Sequence, residues 1–478
     1  MQWFMRGGVY PPARAYPRLA LSAFLMLGAC AAVPGYQAPQ MTLPAQYSRH
    51  VAAPAAPSAA DRLWWENFHD PVLNHLVAAA LAENPSLAEA RARLAEAEAL
   101  SGRAAASGVL GDGRVEISSN SDTSDTGEVG LSALFDPAGG RRAEKRAAAA
   151  RADAARDAGI DARRQLIAEL ATSYVDLRFY QTRLAHRQED LASRQRSLRN
   201  IETRTEAGTG TELDVLQARA LLADTQVDIP QLEATVIQTR NRISTLLGRT
   251  VGDIGVDLSY PGRQPLPRRA GDLGVPADLL RFRPDIRQAE RLYAASIADM
   301  TAAEAARYPT LSLNGVIQAP LAGGDASRSL AAGLTLPVFS QGALAQDVRA
   351  ANARADGALA QWRGAVLSAV EQVESALAAL EGSYRSANAA EKSVTLNRRA
   401  LALTRELLET GGEVTVLDLL DRERDVSNAR GTLDSSCREM ARQYIALKTA
   451  LAVDLGLESA PEVLVQDEAG QGTSSATP

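Results

Sequence analysis

The chain is written twice. Residues 131–155, LSALFDPAGGRRAEKRAAAARADAA, run in register with 334–358, LTLPVFSQGALAQDVRAANARADGA, and both stretches contain ARAD. Near the far end of each copy, GTGTELDVL (208–216) matches GEVTVLDLL (412–420). The repeat is far longer than the roughly 20–50 residues of stacking solenoids. It describes two copies of a whole supersecondary assembly, and so favours one pseudo-symmetric body over the several domains that 478 residues would otherwise suggest.

What fills the copies is helical. Aromatic residues make up only 5% of the chain, and Ala, Leu, Arg and Glu dominate long stretches, a composition of long helices rather than of a compact enzyme core. No run of 18 apolar residues occurs, so a transmembrane helix is not expected. The formal charge of −6 carries no nucleic-acid footprint, and no nucleic-acid partner is expected.

The first residues read as a processing signal. Arg6, Arg14 and Arg18 lead into the apolar run Leu19–Ala29, closed by Leu27-Gly28-Ala29-Cys30, the order of a secretory signal. Cys after Leu-Gly-Ala resembles the bacterial lipoprotein box. The resemblance implies a signal peptide over 1–29 and diacylglycerol plus a fatty acid on Cys30, with no other cofactor. An Asp after the Cys retains such proteins at the inner membrane; Ala31 favours the outer one. An ordinary signal peptide with an incidental Cys remains open. Removing residues 1–29 takes three Arg, leaving 48 basic against 57 acidic residues, a charge of −9. Cys437 is then a lone thiol in a helical stretch, a buried or inert residue by default.

A Pro/Ala-rich linker (30–62) precedes a first repeat (63–252), a Pro/Gly-rich connector (253–276), a second repeat (277–458) and a tail (459–478) of disordered composition. Within the first repeat, 72–107 is helical with a break at Asn84-Pro85. Residues 141–206 lack Pro, and Leu166, Leu170, Ala171, Tyr174, Leu177 and Leu184 step by threes, fours and sevens, an amphipathic helix. At about 1.5 Å per residue it measures about 100 Å. A Gly turn at 208–210 and a helix over 213–247 follow. The second repeat predicts a helix over 277–307, strands within 310–338, a long helix over 343–408, a turn at Gly411-Gly412 and a helix to about Leu455. In each copy the two shorter helices together nearly match the long one, so two stacked end to end would lie beside it.

Each copy carries one hairpin. Val129, Leu131, Ala133 and Phe135 alternate with Glu128, Gly130, Ser132 and Leu134; Leu311, Leu313, Gly315 and Ile317 alternate with Thr310, Ser312, Asn314 and Gln318. The series Leu330, Ala332, Leu334, Leu336, Val338 behaves likewise. One apolar and one small or polar face suit a barrel with a wet lumen, although four half-buried strands packed on helices would show the same pattern. Four strands cannot close a barrel, which takes about eight, and open edges do not survive in lipid. The membrane reading therefore demands an oligomer. Predicted at 114–121 and 127–135, the first hairpin is short for a span of roughly 9–11 residues, and it lacks an obvious aromatic girdle.

Three stretches resemble the outer-membrane efflux protein family, the TolC-like exit ducts, in the lipoprotein branch that includes the NodT type. They are Trp64-Trp65-Glu66-Asn67-Phe68-His69-Asp70-Pro71, Ile229-Pro230-Gln231-Leu232-Glu233, and above all Val275-Pro276-Ala277-Asp278-Leu279-Leu280-Arg281-Phe282-Arg283-Pro284-Asp285-Ile286-Arg287-Gln288-Ala289-Glu290, which is similar to the family's linker between repeats. The resemblance implies a mainly α chain with a small β part. Three copies would form a 12-stranded outer-membrane barrel in lipid on a 12-helix periplasmic α-barrel. The implied partners are a periplasmic adaptor and an inner-membrane pump of the resistance-nodulation-division type, and the implied cargo is small molecules.

Asp214 and Asp418 each follow a Gly turn (Gly208 and Gly210; Gly411 and Gly412) at the end of a long helix. Glycine tolerates the positive φ of such a reversal, and an acid in the next first turn complements the helix dipole; this alone would explain both acids. Asp421 lies three residues past Asp418, on nearly the same face. In a trimer such carboxylates form rings, which set cation preference in pores. The resemblance places an Asp pair of this spacing at the periplasmic constriction, with Asp214 nearby and the Gly turns at the adaptor contact. Family members can lock the tip with a Tyr nine residues and an Arg four residues before the first Asp; here those positions are Glu409 and Val414.

No enzyme is expected: His50, His69, His75 and His186 make no metal spacing, no nucleophile motif appears, and Gly208-Thr209-Gly210 lacks the third Gly of a dinucleotide loop. Two alternatives stay open, a duct for type I protein secretion and a lipid-anchored periplasmic coiled-coil adaptor.

Overall fold

The computed structural model describes residues 36–41, 63–107, 110–120, 123–259, 262–267, 283–411 and 413–451. Cys30, Gly412, most of the linker, the tail and residues 268–282, including the first half of the Val275–Glu290 stretch, lie outside the described residues. After a 3-10 turn at Trp64–Phe68 come α1 (Pro71–Glu83), α2 (Pro85–Ala106), β1 (Leu110–Asn120), β2 (Thr123–Phe135), α3 (Gly140–Glu206) and α4 (Glu212–Leu246). Then follow α5 (Pro284–Ala305), β3 (Thr310–Pro320), β4 (Ser327–Thr335), α6 (Gln341–Glu409) and α7 (Val416–Leu451). The order helix, two strands, long helix, helix thus occurs twice along the chain.

Contacts divide the chain into two units. The first takes in residues 98–151 and 292–359 and contains the strands; the second takes in 63–97, 152–291 and 360–451 and is helical.

In the first unit the strands form one antiparallel sheet in the order β1-β2-β3-β4. The two hairpins are joined through β2 and β3, in register from Thr126 opposite Pro320 to Phe135 opposite Leu311. β1 and β2 extend beyond the expected 114–121 and 127–135, to 11 and 13 residues. Residues that read as turn formers are carried by the ladder, down to Asn120 opposite Thr123. Propensity yields here because strand preference depends on neighbours more than on the residue itself. The first hairpin is therefore long enough for a span.

In the second unit, α3 buries Leu166, Ile167, Leu170, Ala171, Tyr174 and Val175, the stripe its periodicity describes. The Trp64–Phe68 turn docks on α7, where Phe68 and Tyr444 meet edge to face at 5.4 Å and Asn67 donates to the Tyr444 hydroxyl at 2.8 Å. Asp70 caps α1, accepting from Val72 N–H at 2.9 Å. Its other oxygen accepts from Tyr174 on α3 at 2.7 Å. The break between α1 and α2 is equally specific: Asn84 accepts from Ser86 N–H at 2.8 Å and donates to the Leu246 carbonyl at 2.8 Å. Gly248 closes that corner at φ 75°, where a Cβ would meet the Glu83 carbonyl oxygen at 2.7 Å.

Helix α5 is described from Pro284, and the predicted start near 277 lies outside the described residues. Arg283, just before it, is 1% exposed. Its guanidinium grips Asp285 at 2.7 and 3.0 Å, the Ala450 carbonyl at 2.6 Å and Gln372 at 2.9 Å. One buried cation so ties the start of α5 to α6 and α7. Burial opposes ionisation of Asp285, but the Arg283 hydrogen bonds hold its carboxyl below the usual range.

Candidate functional site: two helix reversals and a two-faced sheet

The first reversal begins where α3 runs out of partners. Gly208 sits at φ 74°, with Gly208 N–H bonded to Thr205 O at 3.0 Å and Thr209 N–H to Arg204 O at 2.9 Å. That pair of bonds is a Schellman close, which places a glycine in the left-handed region. Gly210 has a different role: a Cβ there would lie 2.6 Å from Thr205 Oγ1. Thr211 then caps α4 in a full capping box. Thr211 Oγ1 accepts from Asp214 N–H at 3.2 Å, and Asp214 Oδ2 accepts from Thr211 N–H at 3.0 Å.

The second reversal repeats the chemistry. Gly411 is at φ 78°. Thr415 Oγ1 accepts from Asp418 N–H at 3.2 Å, while Asp418 Oδ2 accepts from Thr415 N–H at 2.8 Å and from its hydroxyl at 2.6 Å. Those hydrogen bonds, side chain first, hold the Asp418 carboxyl below the usual range. Asp421 pairs with Arg424 at 2.9 Å. Beneath the caps, Ile201, Ala218, Leu221 and Leu420 form an apolar cluster joined by Leu198, Val215 and Val416. Leu213, Leu216 and Leu417 face outward. Both reversals thus lie in the second unit, and Ile201 on α3, Ala218 on α4 and Leu420 on α7 bring their ends together.

In the sequence Asp214 and Asp418 read as complements to the helix dipole, and their capping boxes were missed; the signal for these is Thr-x-x-Asp, at 211–214 and 415–418. Missed altogether were Ser197, Arg405 and Glu423, whose meeting brings α3 onto α6 and α7 from 226 residues away in sequence. Glu409 and Val414 are the neighbours of that junction and of the cap; Glu409 lines a hollow of about 370 Å³ with Ile201, Arg405 and Val416.

The sheet in the first unit has two chemically distinct faces, because residues paired across strands share a face. One face carries the rows Val115–Val129–Ile317, Leu131–Gly315–Leu330, Ala133–Leu313–Ala332 and Phe135–Leu311–Leu334. The other carries Glu116–Glu128–Gln318–Ser327, Ser132–Asn314–Ala331 and Arg114–Gly130–Val316–Ser329. Val115 and Leu330 on the apolar face are each 75% exposed. The larger exceptions to the pattern are Leu134 and Val316 on the polar face and Arg328 opposite Ile317 on the apolar one. Arg328 lies at the hairpin end, where a long side chain can reach polar surroundings. At the opposite end of the strands Phe135, Tyr308 and Phe339 are exposed.

The outer membrane efflux protein family matches residues 76–249 and again 275–453. Nodulation protein T of Rhizobium leguminosarum bv. trifolii is 34% identical, over 89% of this chain and 95% of its own length. The pyoverdine export outer membrane protein OpmQ of Pseudomonas aeruginosa is 29% identical over 86% of this chain and 91% of its own. The solved structure of the outer-membrane channel OprN aligns with a TM-score of 0.79 at 30% identity, covering 88% of this chain and 99% of that one. The chain belongs to the outer membrane efflux protein family.

Proposed function

We propose that this protein is the exit duct of a tripartite efflux system, carrying small molecules through the outer membrane from an inner-membrane pump and its periplasmic adaptor. The observation that carries the reading is the sheet: four strands of 11, 13, 11 and 9 residues with an exposed apolar face, a polar face and open edges at β1 and β4. A face of exposed Val, Leu, Ile and Phe suits lipid and is a liability in water. Open edges in lipid must be paired, so the sheet closes only with copies of itself. Three copies make a barrel of 12 strands, and paired helices from each make a 12-helix tube. A lipid-anchored coiled-coil adaptor gives no reason for such a sheet. A protein-secretion duct would share it, and the pyoverdine export relative favours small cargo.

In this reading residues 1–29 are removed, Cys30 carries the lipid, and 63–252 and 277–458 are the two repeats. Asp418 and Asp421, with Asp214 near them, ring the periplasmic constriction, and the turns at Gly208, Gly210, Gly411 and Gly412 meet the adaptor. The cap at the second reversal supports the ring indirectly, since the Thr415 hydrogen bonds hold the Asp418 carboxyl below the usual range. A photoreactive side chain at Thr209 or Glu413 tests the partners in living cells. Capture of an adaptor and a proton-driven pump is expected. Capture of an ATP-binding transporter would transfer the reading to protein secretion, and capture of no inner-membrane partner would overturn it.

A further inference from the structure

About one and a half turns past the Asp418 cap lies a carboxylate that the reversal itself does not need. The Glu423 side chain is 5% exposed. Its Oε1 accepts from Ser197 Oγ on α3 at 2.9 Å and from Arg405 on α6 at 3.3 Å. Its Oε2 is buried and takes no hydrogen bond among the described residues. Arg194, one turn earlier on α3, is also buried and its charge acts on Glu423. Arg194 is committed elsewhere, donating to the Leu221 carbonyl at 3.1 Å and to the Thr225 hydroxyl on α4. One acid on α7 therefore touches two other helices, α3 and α6, and faces a guanidinium group from each.

The packing around this junction is open. A hollow of about 400 Å³ is lined by Arg194, Arg405, Glu423 and Arg430, and the hollow beside Glu409 adjoins Ser197 and Arg405. A buried charge recovers its desolvation cost only when its hydrogen bonds are complete, and half of this carboxylate is unmet. Apolar side chains of similar size would join the helices more firmly. What a polar junction does better is select one register, since displacement of any helix strands a charge.

The repeat supplies an internal control. Glu202 on α3 and Arg219 on α4 occupy the register positions of Arg405 on α6 and Glu423 on α7. The same pair is present with its signs exchanged, at 2.9 Å, but Arg219 is 60% exposed and reaches no third helix. In the second copy the residue on the following helix also reaches the long helix of the other repeat, through the Glu423–Ser197 hydrogen bond.

We infer that Glu423 is a latch: through Ser197 and Arg405 it holds the α6–α7 reversal against α3, and its release lets that reversal move aside to widen the passage. The inference rests on the exit-duct reading and names how this chain closes its tip, where Glu409 and Val414 stand at the family's locking positions. The test is single-channel recording of the purified full-length protein in planar bilayers, for wild type, Glu423→Gln, Arg405→Gln and the double variant. Each single variant is expected to raise mean conductance several-fold, and the double variant to go no further than the singles, because both act on one junction. Ser197→Ala, which removes a single hydrogen bond, should give a smaller rise and covers the case in which Glu423→Gln does not fold. Cells carrying the variants should also become sensitive to antibiotics too large for the intact outer membrane. A conducting wild type with variants identical to it would overturn the latch and leave the duct standing. A wild type that forms no pore would overturn the exit-duct reading, and the latch with it.

Discussion

At the first reversal Glu202 and Arg219 form an ion pair in water, with Arg219 60% exposed; at the second, Arg405 and Glu423 form the same pair with the signs exchanged, and the acid is 5% exposed. Both sit behind the same Thr-x-x-Asp cap and a glycine of positive φ. Local chemistry is thus shared while the tertiary setting differs. Where two copies of one design diverge, the divergence marks what each copy does. The apolar cluster of Ile201, Ala218, Leu221 and Leu420 serves both reversals, so what sets the first apart is that its ion pair stays at the surface. The second reads as the corner that moves.

The largest expected effect separates the two pairs directly. Glu423→Ala should cost about 2 kcal/mol, because it leaves the buried Ser197 hydroxyl without its partner and enlarges an existing hollow, whereas Arg219→Ala should cost less than about 0.5 kcal/mol, as exposed pairs do. Denaturant unfolding followed by helical circular dichroism measures both. Equal costs would break the comparison. Gly210→Ala comes next, at about 1–2 kcal/mol, since its Cβ would press on Thr205 at 2.6 Å. Gly411→Ala meets nothing within 4 Å and should lose only the cost of its φ, about 1 kcal/mol. A larger loss at Gly411 would mean that the second corner is the tighter one.

The caps should respond alike. Thr211→Ala and Thr415→Ala each remove one capping oxygen and should cost about 1 kcal/mol, seen as faster amide exchange in the first turns of α4 and α7. Unequal losses would show that the caps also carry the difference between the reversals. The smallest effect is that of acid. Thr415 hydrogen bonds depress the folded-state value of Asp418. Its stabilisation is therefore complete above the unfolded carboxylate's range and is lost as pH falls through the depressed folded value. Amide exchange over residues 416–419 should stay slow at neutral pH and quicken only in acid, and Asp418→Asn should abolish that dependence.

Much of this was legible residue by residue. The Pro-free run from 141 to 206 and its apolar stripe became α3, the Asn84-Pro85 break became the junction of α1 and α2, and both glycine turns became reversals. The strand alternation located the apolar face, but the extent of β1 and β2 did not follow from it, because Ser, Thr and Asp near 120–126 signal a turn unless a ladder holds them. The motif Arg283-Pro284-Asp285 stood out as a family mark, yet nothing in its spacing showed that the cation would be buried against Gln372 and the Ala450 carbonyl.

Sequence by itself determined what depends on near neighbours: helix periodicity, the glycine reversals, the Thr-x-x-Asp caps and the two chemistries of the sheet. These follow from interactions over a few residues along the chain. Tertiary structure alone decided that Glu423 is buried while Arg219 is not. Both sit at the same register position of their helices, each with an opposite charge from the preceding long helix beside it. Burial of Glu423 requires Ser197, which lies 226 residues away in sequence. No local pattern encodes such a meeting, because the cost and the reward of burying a charge are set by whichever chain arrives beside it.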